Sequence, residues 1–154
     1  MPEITLFEFA DSLNKIMPVL MKEFSRRQAN ELYKGKITLP QFLILEFLQQ
    51  EVVLKMVTLA RVMQVTTAAM TGMVNRLVKY GYVRRIYDPL DRRIIKVKLT
   101  ASGSALLKRI NQQRRQMVIK IFGQISAVDR QDYLRILTQI KEILSEDISY
   151  GAKY

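Results

Sequence analysis

Residues 66–100 read TTAAMTGMVNRLVKYGYVRRIYDPLDRRIIKVKLT, and this segment gives the strongest indication of the fold. Apolar residues recur in its first half at helical spacing, and Gly81 stands where a glycine ends a helix. Two runs rich in β-branched and aromatic residues follow, at 82–87 and 93–99, around the turn-forming residues 88–91. The pattern predicts a helix followed by a two-stranded basic hairpin, the arrangement of a winged helix that binds DNA.

The basic residues are concentrated in one part of the chain. The whole chain has 25 Lys and Arg against 14 Asp and Glu, a net charge of +11. Residues 76–120 hold thirteen of these cations and only two acids, whereas the remainder holds twelve of each sign. A basic block on an otherwise neutral chain indicates a surface for a polyanion. The alternative is a solvated face kept for solubility, but arginine outnumbers lysine in the block, which favours phosphate and base contacts.

The composition excludes several kinds of site. The chain has no cysteine, which excludes disulfides and thiolate zinc sites, and no histidine, the commonest metal ligand and general base. We therefore expect no metal, no cofactor and no enzymatic activity. No apolar run approaches the roughly 20 residues of a membrane span, and the chain does not begin with a signal-peptide pattern. We expect a cytoplasmic protein without a membrane partner.

Outside the hairpin the sequence predicts helices. Amphipathic stripes over 6–24 and 134–148 are too long for a small three-helix core to cover, and exposed stripes usually contact a partner. We predict a mainly α protein with a small β wing: a dimerisation helix in 1–36, a winged helix-turn-helix domain in 37–100, and C-terminal helices in 101–154 that complete the dimerisation domain. A homodimer is the simplest assembly. The alternative is an intramolecular bundle.

Helix starts are marked by capping residues. Thr38 with Gln41 three positions later forms a capping box, and Thr100 and Ser126 are further N-cap candidates. Polar residues 30–36 predict a loop between the first two helices.

Four motifs surround the hairpin at fixed spacings. They are LARVMQV at 59–65, GYVRR at 81–85, DPLDRR at 88–93 and LTASG at 99–103. Together they resemble the MarR family of bacterial and archaeal transcriptional regulators, and the resemblance extends over essentially the whole chain. It implies a winged-helix dimer held together by its first and last helices. It also implies a sequence-specific double-stranded DNA-binding regulator of the prokaryotic nucleoid, usually a repressor that a small effector releases from DNA.

The helix at 66–80 is predicted to lie against DNA. Thr66 and Thr67 begin it, where backbone N–H groups suit a phosphate. A helical wheel turns six further positions outward: Ala68, Thr71, Gly72, Asn75, Arg76 and Lys79. Asn75 suits an adenine edge, and Ala68 or the Thr71 methyl group suits thymine methyl groups. Arg76 and Lys79 are expected on phosphates.

Two positions depart from the family pattern. Family members commonly carry a basic or bulky residue at position 72, and a turn glycine at position 64. Because Gly72 has no side chain, we expect either few direct contacts to bases or a close approach of two backbones at this position. Gln64 replaces the turn glycine.

The wing is predicted to enter the minor groove. The resemblance places Arg92 in that groove, Asp91 against its guanidinium and Arg93 on phosphates or the groove edge, with Arg84 and Arg85 on the stem. Because a minor-groove arginine reads groove width and A·T richness, we expect an A·T-rich inverted repeat as the DNA partner. The alternative is that Asp91 and Arg92 only close the turn, through an ion pair worth about 0–1 kcal/mol.

The first two predicted helices hold the candidate residues for an effector site. Met17, Met21, Phe24, Phe42 and Leu45 are candidate pocket residues, with a plain core role as the alternative. Because the chain has no Cys or His, the resemblance leaves a small organic acid or hydrophobic amphiphile as the expected effector. The alternative function is a winged helix that binds RNA or assembles with proteins and has no ligand switch.

Overall fold

A computed structural model describes residues 4–28 and 37–151, with the backbone alone over 146–151. The predicted loop at 30–36 and the side chain of Ile148 lie outside the described part. The described elements are α1 (Leu6–Gln28), α2 (Leu39–Glu51), β1 (Val53–Lys55), α3 (Met56–Val62), α4 (Thr67–Lys79), β2 (Val83–Tyr87), β3 (Ile95–Leu99), α5 (Ala101–Phe122) and α6 (Ala127–Gly151). This mainly helical architecture with a small sheet confirms the predicted fold class.

The chain divides into two compact units, residues 1–114 and residues 115–154. In the first unit, Leu106, Leu107 and Ile110 of α5 are buried in the core that α2, α3, α4 and the sheet build. The start of α5 therefore belongs with the winged helix-turn-helix. The dimerisation domain expected of the terminal helices stays a prediction.

The core of the first unit is apolar and closely packed. Its fully buried side chains come from α2, α3, α4, the strands β2 and β3, and α5: Phe42, Ile44, Leu45, Leu48, Leu59, Met70, Val74, Leu77, Val83, Val97 and Ile110. Burying a side chain of this size stabilises the fold by about 1.5–3 kcal/mol. Helix α2 enters this core from the predicted capping box, in which Thr38 N–H donates to Gln41 Oε1 at 2.9 Å.

The sheet has three antiparallel strands in the order β1-β3-β2. The sequence predicted only two of these strands, and β1 is the third. Strand β1 is only three residues long, Val53–Lys55, and Val52 before it has a φ of 57°. Such a short strand shows no period-two pattern over four to eight residues, so the sequence did not reveal it.

The hairpin loop is longer than the sequence predicted. Asp88 N–H donates to Ile94 O at 3.0 Å, and Ile94 N–H donates to Asp91 O at 2.9 Å. Because these bonds close the loop, β3 begins at Ile95 rather than at the predicted Arg93. The arginines at positions 92 and 93 consequently lie at the tip of the wing and not in its strand.

The LTASG motif joins α5 to the end of α4. Helix α4 ends before Gly81, which has a φ of 74°. Thr100 Oγ donates to Gly81 O at 2.6 Å and accepts the N–H of Gly103 at 3.1 Å. A Cβ atom at Gly103 would lie 2.0 Å from Tyr82 O, so only glycine allows this approach. These contacts explain the fixed distance between the motif and the wing.

The second unit contains the end of α5 and α6. Ser126 Oγ accepts the N–H of Asp129 at 3.1 Å, which confirms the predicted cap of α6. Arg130 donates to Phe122 O at 3.1 Å, and the rings of Phe122 and Tyr133 lie 5.4 Å apart. The turn between the two helices is therefore held by both polar and aromatic contacts.

The apolar stripes of α1 and α6 are exposed in the single chain. Their members include Leu6, Phe9, Leu13, Ile16 and Leu20 on α1, and Leu134, Leu137, Ile140 and Leu144 on α6. The homodimer expected from these stripes and its alternative, the intramolecular bundle, both stay predictions. Exposed apolar surfaces of this extent usually contact another molecule.

Candidate nucleic-acid interface

Helix α4 has one buried face and one exposed polar face. Met70, Val74 and Leu77 are fully buried, as the sequence predicted. The six outward positions of the helical wheel are all exposed: Ala68, Thr71, Gly72, Asn75, Arg76 and Lys79. The second helix of the helix-turn-helix thus presents a polar and basic face that no other described element covers.

The start of α4 is stabilised by its own hydroxyl groups. Thr66 Oγ accepts the N–H of Ala69 at 3.1 Å, and Thr71 Oγ donates to Thr67 O at 2.8 Å. Thr66 is therefore the N-cap residue, and the Thr71 hydroxyl proton is used within the helix. The Thr71 methyl group remains the part of that side chain suited to a thymine methyl group.

No backbone among the described residues approaches Gly72 closely. A Cβ atom at Gly72 would have no neighbouring atom within 4 Å among the described residues, which overturns that alternative. The position is instead an open gap on the outward face of α4. Gln64 has a φ of 52°, in the left-handed region, which explains why a glycine suits this turn.

Arg85 binds α4 instead of facing outward. Its Nη2 donates to Asn75 Oδ1 at 2.5 Å, and its Nε is buried without a described partner. Arg85 lies opposite Val97 in the sheet, and Val97 is fully buried. The residue therefore points to the α4 side of the sheet. Sequence reasoning grouped it with Arg84 as a wing contact, because the strand register was not known.

The other face of the sheet is basic. Lys98 pairs with Arg84 on one side and with Val53 on the other, and Lys96 pairs with Lys55. Residues directly opposite each other share a face, so Lys55, Arg84, Lys96 and Lys98 lie together. Lys55 was not a predicted site residue, because β1 was not predicted.

The tip of the wing is a fixed turn with exposed arginines. Asp91 Oδ1 accepts the N–H of Arg93 at 3.0 Å, and Asp88 Oδ1 accepts the N–H of Leu90 at 3.0 Å. Asx turns of this kind hold a loop in one conformation. Arg92 and Arg93 are exposed, and among the described ion pairs Asp91 has none with Arg92. Asp91 thus shapes the turn through the backbone.

The base of the wing is held by an ion pair. Lys96 Nζ lies 3.0 Å from Asp88 Oδ2. The hydrogen bond from Lys96, followed by the N–H of Leu90, holds the pKa of Asp88 below its ordinary value. Asp88 therefore stays charged and keeps the two ends of the loop together.

The candidate pocket residues differ in how far they are buried, and an effector pocket stays a prediction. Phe42 and Leu45 are fully buried in the core, where the guanidinium of Arg114 lies 5.0 Å from the centre of the Phe42 ring. Met17 and Met21 are exposed on α1. The core alternative is thus correct for the two α2 residues.

Metal and membrane features are absent from the described part of the chain. No cluster of three or more His, Cys, Asp or Glu side chains there has the arrangement to hold a metal ion. None of its helices combines the length and the apolar character needed to cross a membrane.

The helix-turn-helix, its exposed polar second helix and the basic hairpin define a winged helix-turn-helix protein of the DNA-binding regulator class. The chain belongs to the MarR family, whose model matches residues 37–95. The multiple antibiotic resistance protein MarR of Escherichia coli K12 is 33% identical over 109 residues, which cover 67% of this chain and 76% of that protein. Members of this family are transcriptional regulators, not enzymes.

One further relative and one solved structure support this assignment. An HTH-type transcriptional repressor of Mycobacterium tuberculosis is 31% identical over 104 residues, 68% of this chain and 75% of that protein. The crystal structure of a mutant E. coli MarR complexed with operator DNA matches with a TM-score of 0.66 at 25% identity, covering 89% of this chain and 99% of that one.

Proposed function

We propose that this DNA-binding regulator is a homodimeric repressor that reads an A·T-rich inverted repeat and is released by a small organic effector. The observation that carries the proposal is the pairing of an exposed polar face on α4 with an exposed, fixed arginine tip on the wing. A helix and a hairpin that follow each other in the chain fit adjacent major and minor grooves of a duplex.

In this proposal each residue has a defined task. Arg92 enters the minor groove, and Arg93 and Arg84 contact phosphates or the groove edge. Asp91 supports the tip, through the backbone bond to Arg93 that the structure describes. Asn75 reads a base edge. The remaining α4 positions contact thymine methyl groups or phosphates: Thr66, Thr67, Ala68, Thr71, Arg76 and Lys79. The related E. coli protein crystallised with operator DNA supports duplex DNA as the partner.

Selection from a random duplex pool tests the DNA assignment. The full chain is expected to enrich an inverted repeat whose half-sites lie about one helical turn apart, 10–10.5 bp. RNA of equal length should not displace the selected duplex. Arg92→Ala should reduce binding, whereas Lys141→Ala, an exposed cation outside the basic block, should not. If RNA competes as well as duplex DNA, the alternative of an RNA-binding module is correct.

The homodimer is supported by the exposed stripes of α1 and α6. A two-fold dimer would cover apolar side chains such as Leu137 and Ile140, which are 43% and 46% exposed in the single chain. Sedimentation of the full chain is expected to give a dimer at micromolar concentration. The double variant Leu137→Lys/Ile140→Lys should be monomeric, and Gln139→Lys on the same helix should remain dimeric. A monodisperse wild-type monomer contradicts the proposal.

The effector part rests on the family and on the absence of His and Cys, which removes the usual metal and thiol sensors. Small monocarboxylic acids and amphiphiles should be titrated into the complex of protein and selected duplex. Release that reverses on dialysis supports the switch. Unchanged affinity across the panel removes the switch and leaves the DNA-binding function standing.

A further inference from the structure

We propose that Arg85 is a positioning residue for base recognition: it turns the Asn75 amide so that Asn75 offers DNA a hydrogen-bond donor. The inference rests on the proposed function, in which α4 lies in the major groove. It assigns Arg85 to sequence specificity, although its place in a basic hairpin suggests a phosphate contact.

The strand register determines where Arg85 points. Successive side chains of a strand alternate between faces. Arg85 lies opposite the fully buried Val97, whereas Arg84 lies opposite Lys98 on the basic face. Arg85 is therefore on the side of the sheet that packs against α4, and its Nη2 reaches Asn75 Oδ1 at 2.5 Å.

The chemistry of arginine determines how the amide turns. A guanidinium has five N–H donors and no acceptor, so only the oxygen of Asn75 can face it. The amide nitrogen lies on the other side of the same carbon atom and is directed away from Arg85. Asn75 is exposed, and Nδ2 has no protein partner among the described residues. The free end of the side chain is thus a donor of fixed direction.

This orientation predicts what Asn75 reads. A free asparagine pairs with adenine through both its oxygen and its nitrogen. With Oδ1 engaged by Arg85, the first group that Asn75 offers a base is the Nδ2 donor. Adenine N7, guanine N7 and O6, and thymine O4 are acceptors in the major groove, whereas cytosine presents the N4 amino group there. The position facing Asn75 should therefore exclude cytosine.

A purely structural role for Arg85 is a poor explanation of its geometry. Its Nε is buried without a described partner, and an unsatisfied buried donor is unfavourable for folding. A shorter or apolar side chain at this position would remove that cost. The side-chain hydrogen bond described for the guanidinium is the one to Asn75, which lies on the outward face of α4.

The test is a comparison of four duplexes that differ only at the base pair where Asn75→Ala loses discrimination. Wild type should bind the cytosine duplex roughly 5- to 150-fold more weakly than the best duplex, the range for one specific base contact. Arg85→Met should reduce this ratio to about one. Asn75→Asp keeps an acceptor for Arg85 but presents an oxygen to DNA, so its preference should move to cytosine. Arg84→Met, the matched control on the opposite face, should weaken all four duplexes equally.

Two results distinguish a failure of the inference about Arg85 from a failure of the proposed function. If Arg85→Met weakens the four duplexes equally and keeps the wild-type preference, Arg85 is not a positioning residue, and the proposed function stands. If wild type prefers none of the four duplexes and Arg92→Ala binds like wild type, the proposed function itself fails. Should Arg85→Met not fold, Arg85→Lys replaces it, because a lysine keeps the charge but not the planar fork. Its ratio should then fall below that of wild type, and an unchanged ratio overturns the inference.

Discussion

Arg84 and Arg85 are neighbours in sequence but lie on opposite faces of the sheet. Arg84 pairs with Lys98 on the basic face, and Arg85 pairs with buried Val97 and donates to Asn75 on α4. The wing and α4 are therefore connected by a side-chain hydrogen bond. A change in the wing stem should consequently alter base recognition as well as phosphate contacts.

Arg92 and Lys79 should differ in how they affect binding. Arg92→Ala should cost roughly 1–3 kcal/mol of binding free energy, with the largest loss on A·T-rich flanks, where the minor groove is narrow. Lys79→Ala should weaken all sequences alike and lower the salt slope by about one per subunit. Both side chains are exposed, so neither variant should lose thermal stability. Titration of selected and scrambled duplexes by fluorescence anisotropy measures both effects.

Gly72→Ala should stabilise the protein. The position is inside α4, and an added Cβ meets no atom within 4 Å. Alanine in an exposed helix interior is more favourable than glycine by about 0.8–1 kcal/mol. Chemical unfolding should show this gain, and a loss of stability would reveal a contact that the single chain does not make. Gly72→Arg should in addition tighten duplex binding, because it fills the gap on the outward face with a cation.

Val52→Gly should also stabilise the protein. Val52 has a φ of 57°, which is rare for a β-branched residue, and its side chain is 61% exposed. Relief of this strain should exceed the entropy cost of glycine, for a net gain of about 1 kcal/mol. The matched control is Val57→Gly, equally exposed at 61% but inside α3, where glycine should be destabilising. Equal effects of both changes in thermal unfolding would contradict the strain at Val52.

The ion pair between Asp88 and Lys96 at the base of the wing should be lost only in acid. Because the hydrogen bond from Lys96 lowers the folded pKa of Asp88, its contribution is present above the unfolded pKa and is lost as pH falls through the folded value. The unfolded pKa of an aspartate is about 3.9. The melting temperatures of wild type and Asp88→Asn should therefore differ by a constant amount near neutral pH and converge below about pH 4. A gap that persists unchanged at about pH 3 would contradict this role.

The parts of the fold that depend on local patterns could be predicted from the sequence. Three-and-four spacing identified the buried face of α4, and capping chemistry identified the starts at Thr38, Thr100 and Ser126. The parts that depend on pairing between distant residues could not. Strand β1 is defined by its register with β3, and the direction of Arg85 by its position opposite Val97. Neither strand pairing produces a pattern in the neighbouring sequence from which it could be predicted.

The proposed function requires that the basic block, residues 76–120, binds duplex DNA through its phosphates. Each phosphate contact lowers log K by about 0.9 per unit of log salt concentration. With several contacts in each subunit of a dimer, affinity for the selected duplex should fall on the order of a thousandfold or more between about 50 and 200 mM salt. Arg84→Met should reduce the slope, whereas Lys141→Ala should leave it unchanged. A flat response over this range would contradict binding to DNA through phosphates and indicate a protein partner instead.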